Sequence, residues 1–110
     1  MKDPRNNGGG WIGVDFDGTI AEHHGYKGHD HVGEPITPMI NRIKKWLSEG
    51  KDVRIFTARD SKSFPVIRRF CMENFGKTLK ITNKKDRFMT ELYDDRAVQV
   101  EHNTGRIVGD

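Results

Sequence analysis

Short apolar runs alternate with helix-period segments along this chain, and that alternation constrains the fold more than any other feature. Trp11-Ile12-Gly13-Val14-Asp15-Phe16-Asp17 is apolar and then turns acidic, which reads as a buried first strand. Thr37-Pro38 opens a helix, with Thr as N-cap and Pro at the first helical position. Met39, Ile40, Ile43, Trp46 and Leu47 then fall on one face, and Gly50 stops the helix. Val53-Arg54-Ile55-Phe56 is the second strand. Phe64, Ile67, Phe70, Cys71 and Phe75 mark a second helix, capped by Ser61 or Ser63 and ended by Gly76. Leu79-Lys80-Ile81-Thr82 is a weaker third strand, Glu91-Leu92-Tyr93 enters a fourth, and Ala97-Val98-Gln99-Val100 alternates like a fifth. Asn103-Thr104-Gly105 is a turn, and Arg106-Ile107-Val108 adds an edge strand. Strand–helix–strand–helix–strand predicts an α/β, Rossmann-like fold with a parallel sheet and right-handed crossovers. The expected strand order is 3-2-1-4-5, with helices on both faces. Ligands in such sheets bind where the strand order reverses, beyond the strand C-termini. Here that is between strands 1 and 4.

The chain has 110 residues, enough for one domain. Leu, Ile, Val and Phe account for 25 of them, just above the ~20% level below which chains tend to stay disordered. The expected organisation is a flexible tail over residues 1–10 and a single domain over 11–110. Residues 18–37, rich in Gly and His, form one long loop; loops beyond ~12–15 residues are usually functional or disordered. No run reaches the ~18 apolar residues of a membrane span, and Met1–Gly10 has no apolar signal segment. The single cysteine, Cys71, excludes a disulfide scaffold and points to a reducing, cytoplasmic setting. The net charge of +3 comes from spread positives, so a phosphorylated partner is permitted but not demanded.

Chemistry concentrates at the strand ends. Asp15 and Asp17 lie two apart at the end of strand 1, and alternation puts them on one side of an extended strand. Asp94-Asp95 ends strand 4, its expected neighbour. Carboxylates that close disfavour one another unless a cation intervenes. Hard oxygen ligands suit Mg²⁺. Thr57 ends strand 2 with a hydroxyl donor, and Lys84 or Lys85 supplies positive charge. Nucleophile, proton donor, metal, hydroxyl and lysine make a phosphoryl-transfer site.

These residues resemble the motifs of the haloacid dehalogenase (HAD) superfamily, in particular its small phosphatases without a cap domain. Asp15-Phe16-Asp17-Gly18-Thr19 is similar to the first motif, DxDGT. Ile55-Phe56-Thr57-Ala58-Arg59 is similar to the second, Lys85 to the third, and Tyr93-Asp94-Asp95-Arg96 to the fourth. The motifs span residues 12–100 in the family's order. The resemblance implies a Mg²⁺-dependent phosphomonoesterase. Asp15 would be the nucleophile that forms an aspartyl-phosphate, and Asp17 the acid and then the base. Mg²⁺ would sit on the Asp15 carboxylate, the Asp17 carbonyl and Asp95, with Asp94 behind. Thr57 and the N–H groups of Gly18 and Ala58 would hold phosphoryl oxygens, Lys85 would pair with Asp15, and Arg59 would reach the substrate. An acid at position 17 favours phosphatase over dehalogenase chemistry.

Without a cap, an open site suits a large or extended substrate, such as a polynucleotide end or a phosphoprotein, unless an oligomer partner closes it; free nucleotides and sugar phosphates are the smaller alternatives. Segment 18–37 is long enough for a flap but not for a cap domain. His23, His24, His29 and His31 in it read as a polar loop, a substrate flap or, less well supported, a Zn²⁺ site. Arg59 and Arg96 read equally as surface ion-pair partners. Trp11, Trp46 and Cys71 read as packing. The competing functions are a phospho-acceptor module, which the motif order opposes, and a non-catalytic phosphate-binding protein on the same fold.

Overall fold

A computed structural model describes residues 9–109. Most of the expected tail therefore lies outside the described residues. The elements run β1 (Trp11–Asp15), α1 (Thr37–Ser48), β2 (Asp52–Phe56), α2 (Phe64–Phe75), β3 (Ile81–Thr82) and β4 (Met89–Tyr93). They form a parallel sheet of order β3-β2-β1-β4. The reversal between β1 and β4 is where it was expected.

Local chemistry explains the boundaries. Ile36, not Thr37, is the N-cap of α1, and it offers no side-chain bond; Pro38 pre-sets the first turn. Asp60 caps a 3₁₀ turn, Ser61–Ser63, by accepting from the Lys62 N–H, and this turn runs into α2. Ser63 takes the N-cap position of α2, as expected, but makes no side-chain cap bond; Asp60 supplies the side-chain cap one turn earlier. Gly76 ends α2 in the left-handed conformation (φ 75°), as expected.

Alternation in β1 sorts the core. Ile12, Val14 and Phe16 face a single cluster with Ile40, Ile43, Ile55, Ile67, Phe70 and Cys71, so β1 packs on both helices from one side. Phe16 meets Phe70 edge-on at 5.1 Å, and Trp46 of α1 meets Tyr93 of β4 at 5.0 Å. The expectation of helices on both faces is thus corrected. Strands 1, 2 and 3 are laid down in one direction, so right-handed crossovers put α1 and α2 on the same face. The β3–β4 connection, residues 83–88, holds no helix. On the opposite face, Trp11 lies against the Cβ side of Gly13, and Arg54 stacks over its ring at 4.6 Å. The indole N–H donates to Asp86 at 2.9 Å.

The fifth strand is also corrected. After Tyr93 the chain turns, with the Ala97 N–H donating to the Asp94 carbonyl. Residues 97–99 join no strand. Instead Val100 bridges antiparallel to Ile107, and Glu101 pairs with Arg106, around a turn holding Asn103 (φ 64°) and Gly105 (φ 77°). That turn was expected, but the pairing is local rather than with the sheet. No helix among the described residues is long and apolar enough to cross a membrane.

Candidate functional site

Asp15 is the last residue of β1, and its neighbours follow from register. On one side it pairs with Phe56, so Thr57 comes next to it. On the other, Val14 pairs with Tyr93, which brings Asp94 and Asp95 alongside. Oxygens of Asp15, Asp94 and Asp95 lie within 4.8 Å of one another. Thr19, buried at 9% exposure, ties this group together. Its hydroxyl lies 3.0 Å from Asp95 Oδ1 and 3.4 Å from Asp15 Oδ2, and it accepts from the Asp95 N–H at 3.1 Å. Gly18 sits so close that a Cβ would meet Asp95 Oδ2 at 2.6 Å; its φ of +86° also suits only glycine.

The electrostatics agree with a cation-seeking group. Burial, then a hydrogen bond to Asp95 and the charges of Asp94 and Asp95, push the Asp15 carboxyl up to about 7. The hydrogen bond from Asp15, with help from Thr19, holds Asp95 below the usual carboxylate range. Of the two, Asp15 is therefore the carboxyl that keeps its proton to higher pH. The donor set is all carboxylate oxygen, which fits a hard divalent ion such as Mg²⁺. No other group of three His, Cys, Asp or Glu among the described residues comes together this way. The four loop histidines are therefore not assembled for Zn²⁺.

Asp17 diverges from Asp15. Its two oxygens accept from Arg59 Nε at 2.8 Å and Nη2 at 2.7 Å, in a bidentate pair. Both aspartates still line one cavity of about 670 Å³, with Thr57, Ala58, Arg59, Asn83, Asp94 and Arg96. Thr57 is buried, and its Oγ1 accepts from the Arg59 N–H at 3.1 Å, which leaves its hydroxyl proton uncommitted. Among the described residues none accepts from the Ala58 N–H. The Gly18 N–H, by contrast, is spent on the Ala21 carbonyl at 2.7 Å. That expected phosphoryl contact is corrected: the tight turn after Asp17 uses the donor itself.

Lys84 and Lys85 are exposed on the β3–β4 connection, and neither makes an ion pair among the described residues. Asn83, which the sequence reading passed over, lines the cavity instead. Thr19 and Ser63 were also missed as site residues. Thr19 stands within DxDGT, but its reach to Asp95 depends on β1–β4 pairing, 76 positions away.

No protein-family model matches the chain, and no curated protein is significantly similar to it. A solved structure, described as a conserved protein coded by a locus from Bacteroides thetaiotaomicron, is similar. It shares 25% identity over 82% of this chain and 78% of that one, with a TM-score of 0.64. The likeness supports a small α/β fold with a parallel sheet.

Proposed function

We propose that the chain is a Mg²⁺-dependent phosphomonoesterase of the HAD type. The observation that carries this reading is the convergence of Asp15, Asp94 and Asp95 at the switch point, where Asp15 and Asp94 line one cavity with Asp17 and Thr57. Asp15, Asp95 and Asp94 would hold Mg²⁺ with the Asp17 carbonyl, and the ion would neutralise charge on the phosphoryl group. Asp15 attacks phosphorus as the bond to the leaving oxygen breaks, and Asp17 gives that oxygen a proton. Water then attacks the aspartyl-phosphate, Asp17 takes its proton, and the Asp15–phosphorus bond breaks. Thr57 and the Ala58 N–H hold the phosphoryl oxygens. Lys85, exposed on the β3–β4 connection, is the cation the resemblance assigns to their charge. The cavity's openness suits nucleotide or polynucleotide phosphates.

The exposed lysines favour a second reading, a phosphate-binding protein without turnover. Hydrolysis of a panel of phosphate esters, including 3′- and 5′-phosphorylated oligonucleotides, separates the two. Mg²⁺-dependent turnover that falls at least ~10³-fold in Asp15→Asn, with unchanged far-ultraviolet dichroism, is the expected result. Absence of turnover by the wild type on every ester overturns the enzyme reading.

A further inference from the structure

The flap is fastened at two levels. At its base the Glu22 N–H donates to the Glu34 carbonyl and the Ile36 N–H to the Ile20 carbonyl, both at 2.8 Å. Gly33 packs directly on the Glu22 carbonyl, where a side chain would collide. The tip, residues 23–31, is held differently. Among the described residues, its hydrogen bonds to the body of the protein converge on one atom, the His29 carbonyl oxygen. That oxygen accepts from Ser63 Oγ at 2.9 Å and from Arg59 Nη1 at 3.3 Å. The same guanidinium holds both oxygens of Asp17. Arg59 therefore shares the fastening of the flap tip with Ser63, and it also occupies the carboxylate assigned to proton transfer. While it does so, each Asp17 oxygen already accepts a hydrogen bond from the guanidinium.

A second cavity, of about 320 Å³, lies under the tip and shares Asp17 and Arg59 with the first. Lys27, Lys62 and the imidazoles of His23 and His29 line it, and so do Glu22 and Asp60, so Arg59 is the group there already engaged in a bidentate carboxylate pair. Gly25 and Gly28 flank Tyr26 and Lys27 in open space, with φ of +97° and +100°, and Tyr26 is 84% exposed. Few contacts therefore hold the tip once the His29 link opens. A guanidinium is a planar fork that takes a carboxylate or a phosphate equally well. An anion entering this cavity offers Arg59 the same pairing that Asp17 gives it.

We propose that Arg59 is a latch between the flap tip and Asp17, released by a second anionic group on the leaving-group side of the substrate. The substrate class is then a phosphomonoester whose leaving group carries its own phosphate or carboxylate. The assignment to substrate rests on the phosphatase reading; the latch rests on geometry alone. Binding energy from a non-reacting part of the substrate would thus free the acid, a use that truncated esters forfeit.

Hydrogen exchange on the full chain tests both halves without turnover. Arg59→Ala is expected to speed exchange of the His31 amide, the tip N–H that donates to the Gly28 carbonyl, about tenfold, with the Glu22 and Ile36 amides at the base unchanged. Arg59→Lys keeps the charge without the fork, and is expected to loosen the tip even if the alanine variant unfolds. Tip exchange equal to wild type in both variants overturns the latch. Phenylphosphonate and 4-carboxyphenylphosphonate, neither of which can be hydrolysed as an ester, are the probes for the second anion. The carboxylated compound alone is expected to speed tip exchange, in wild type and not in Arg59→Ala. Identical effects of the two compounds overturn the substrate class. A protein that passes these tests and hydrolyses no ester keeps the latch and loses the phosphatase reading.

Discussion

At the scale of single residues, the site is governed by carboxylates placed closer than water alone would allow. Asp15 is pushed up to about 7 from an ordinary value of 3.8. Between those values the folded chain binds a proton that the unfolded chain has lost. Metal-free stability should therefore be highest below about pH 4 on this group's account, and decline as pH rises to about 7. Asp95, held low, acts oppositely, but only as pH falls through the ordinary carboxylate range. Chemical denaturation at a series of pH values is the check, and Asp15→Asn should flatten the slope between 4 and 7. Thr19 carries a different kind of constraint. Thr19→Val keeps the shape and removes the hydroxyl that links Asp95 to Asp15. A loss of about 1 kcal/mol in stability is expected, together with weaker Mg²⁺ binding by titration calorimetry. Glycine in DxDGT is legible from sequence as a turn, but its closeness to Asp95 is not.

At the scale of elements, hydrophobic period carried most of the information. Both helices and the first four strands lie where the apolar pattern puts them, because each buries one face in the same cluster. The pattern failed in residues 97–100, which alternate like a strand but join no sheet. Alternation says that a segment fits a pleated surface, and it cannot say whether a neighbouring strand is there to pair with. Val98 and Val100 are accordingly exposed. The segment is held by its own partner, Ile107, and by the Glu101–Arg106 pair, both exposed. Such surface pairs contribute ~0–1 kcal/mol. Deleting residues 98–109 should leave the thermal midpoint within about 5 °C of the parent chain by calorimetry. A collapse of the midpoint would mean that this hairpin supports the sheet.

At the scale of the whole molecule, topology converts distant motifs into one site. Residues 15, 57 and 94 meet because β1 is flanked by β2 on one side and β4 on the other. The same arrangement gathers negative charge that a cation would offset. Mg²⁺ at a hundredfold excess over its Kd is expected to stabilise the fold by about 2.7 kcal/mol. For a chain of this size that is a rise of roughly 10–20 °C in the thermal midpoint, lost on adding a chelator. An unchanged midpoint with saturating Mg²⁺ would remove the metal from the proposal.

The amino-acid pattern by itself determined the class of fold, the strand order as far as the fourth strand, and which carboxylates stand at strand ends. These follow from periodicity and from chain handedness, which are local or nearly so. Tertiary structure alone decided the rest. It turned Asp17 toward Arg59 rather than toward Asp15, spent the Gly18 N–H on Ala21, and left Lys84 and Lys85 in solvent. The placement of both helices on one face, by contrast, follows from the strand order and right-handed crossovers taken together. The physical reason is that a side chain's partner depends on which segments share space, and a hydrogen-bond donor used by the backbone is lost to a ligand.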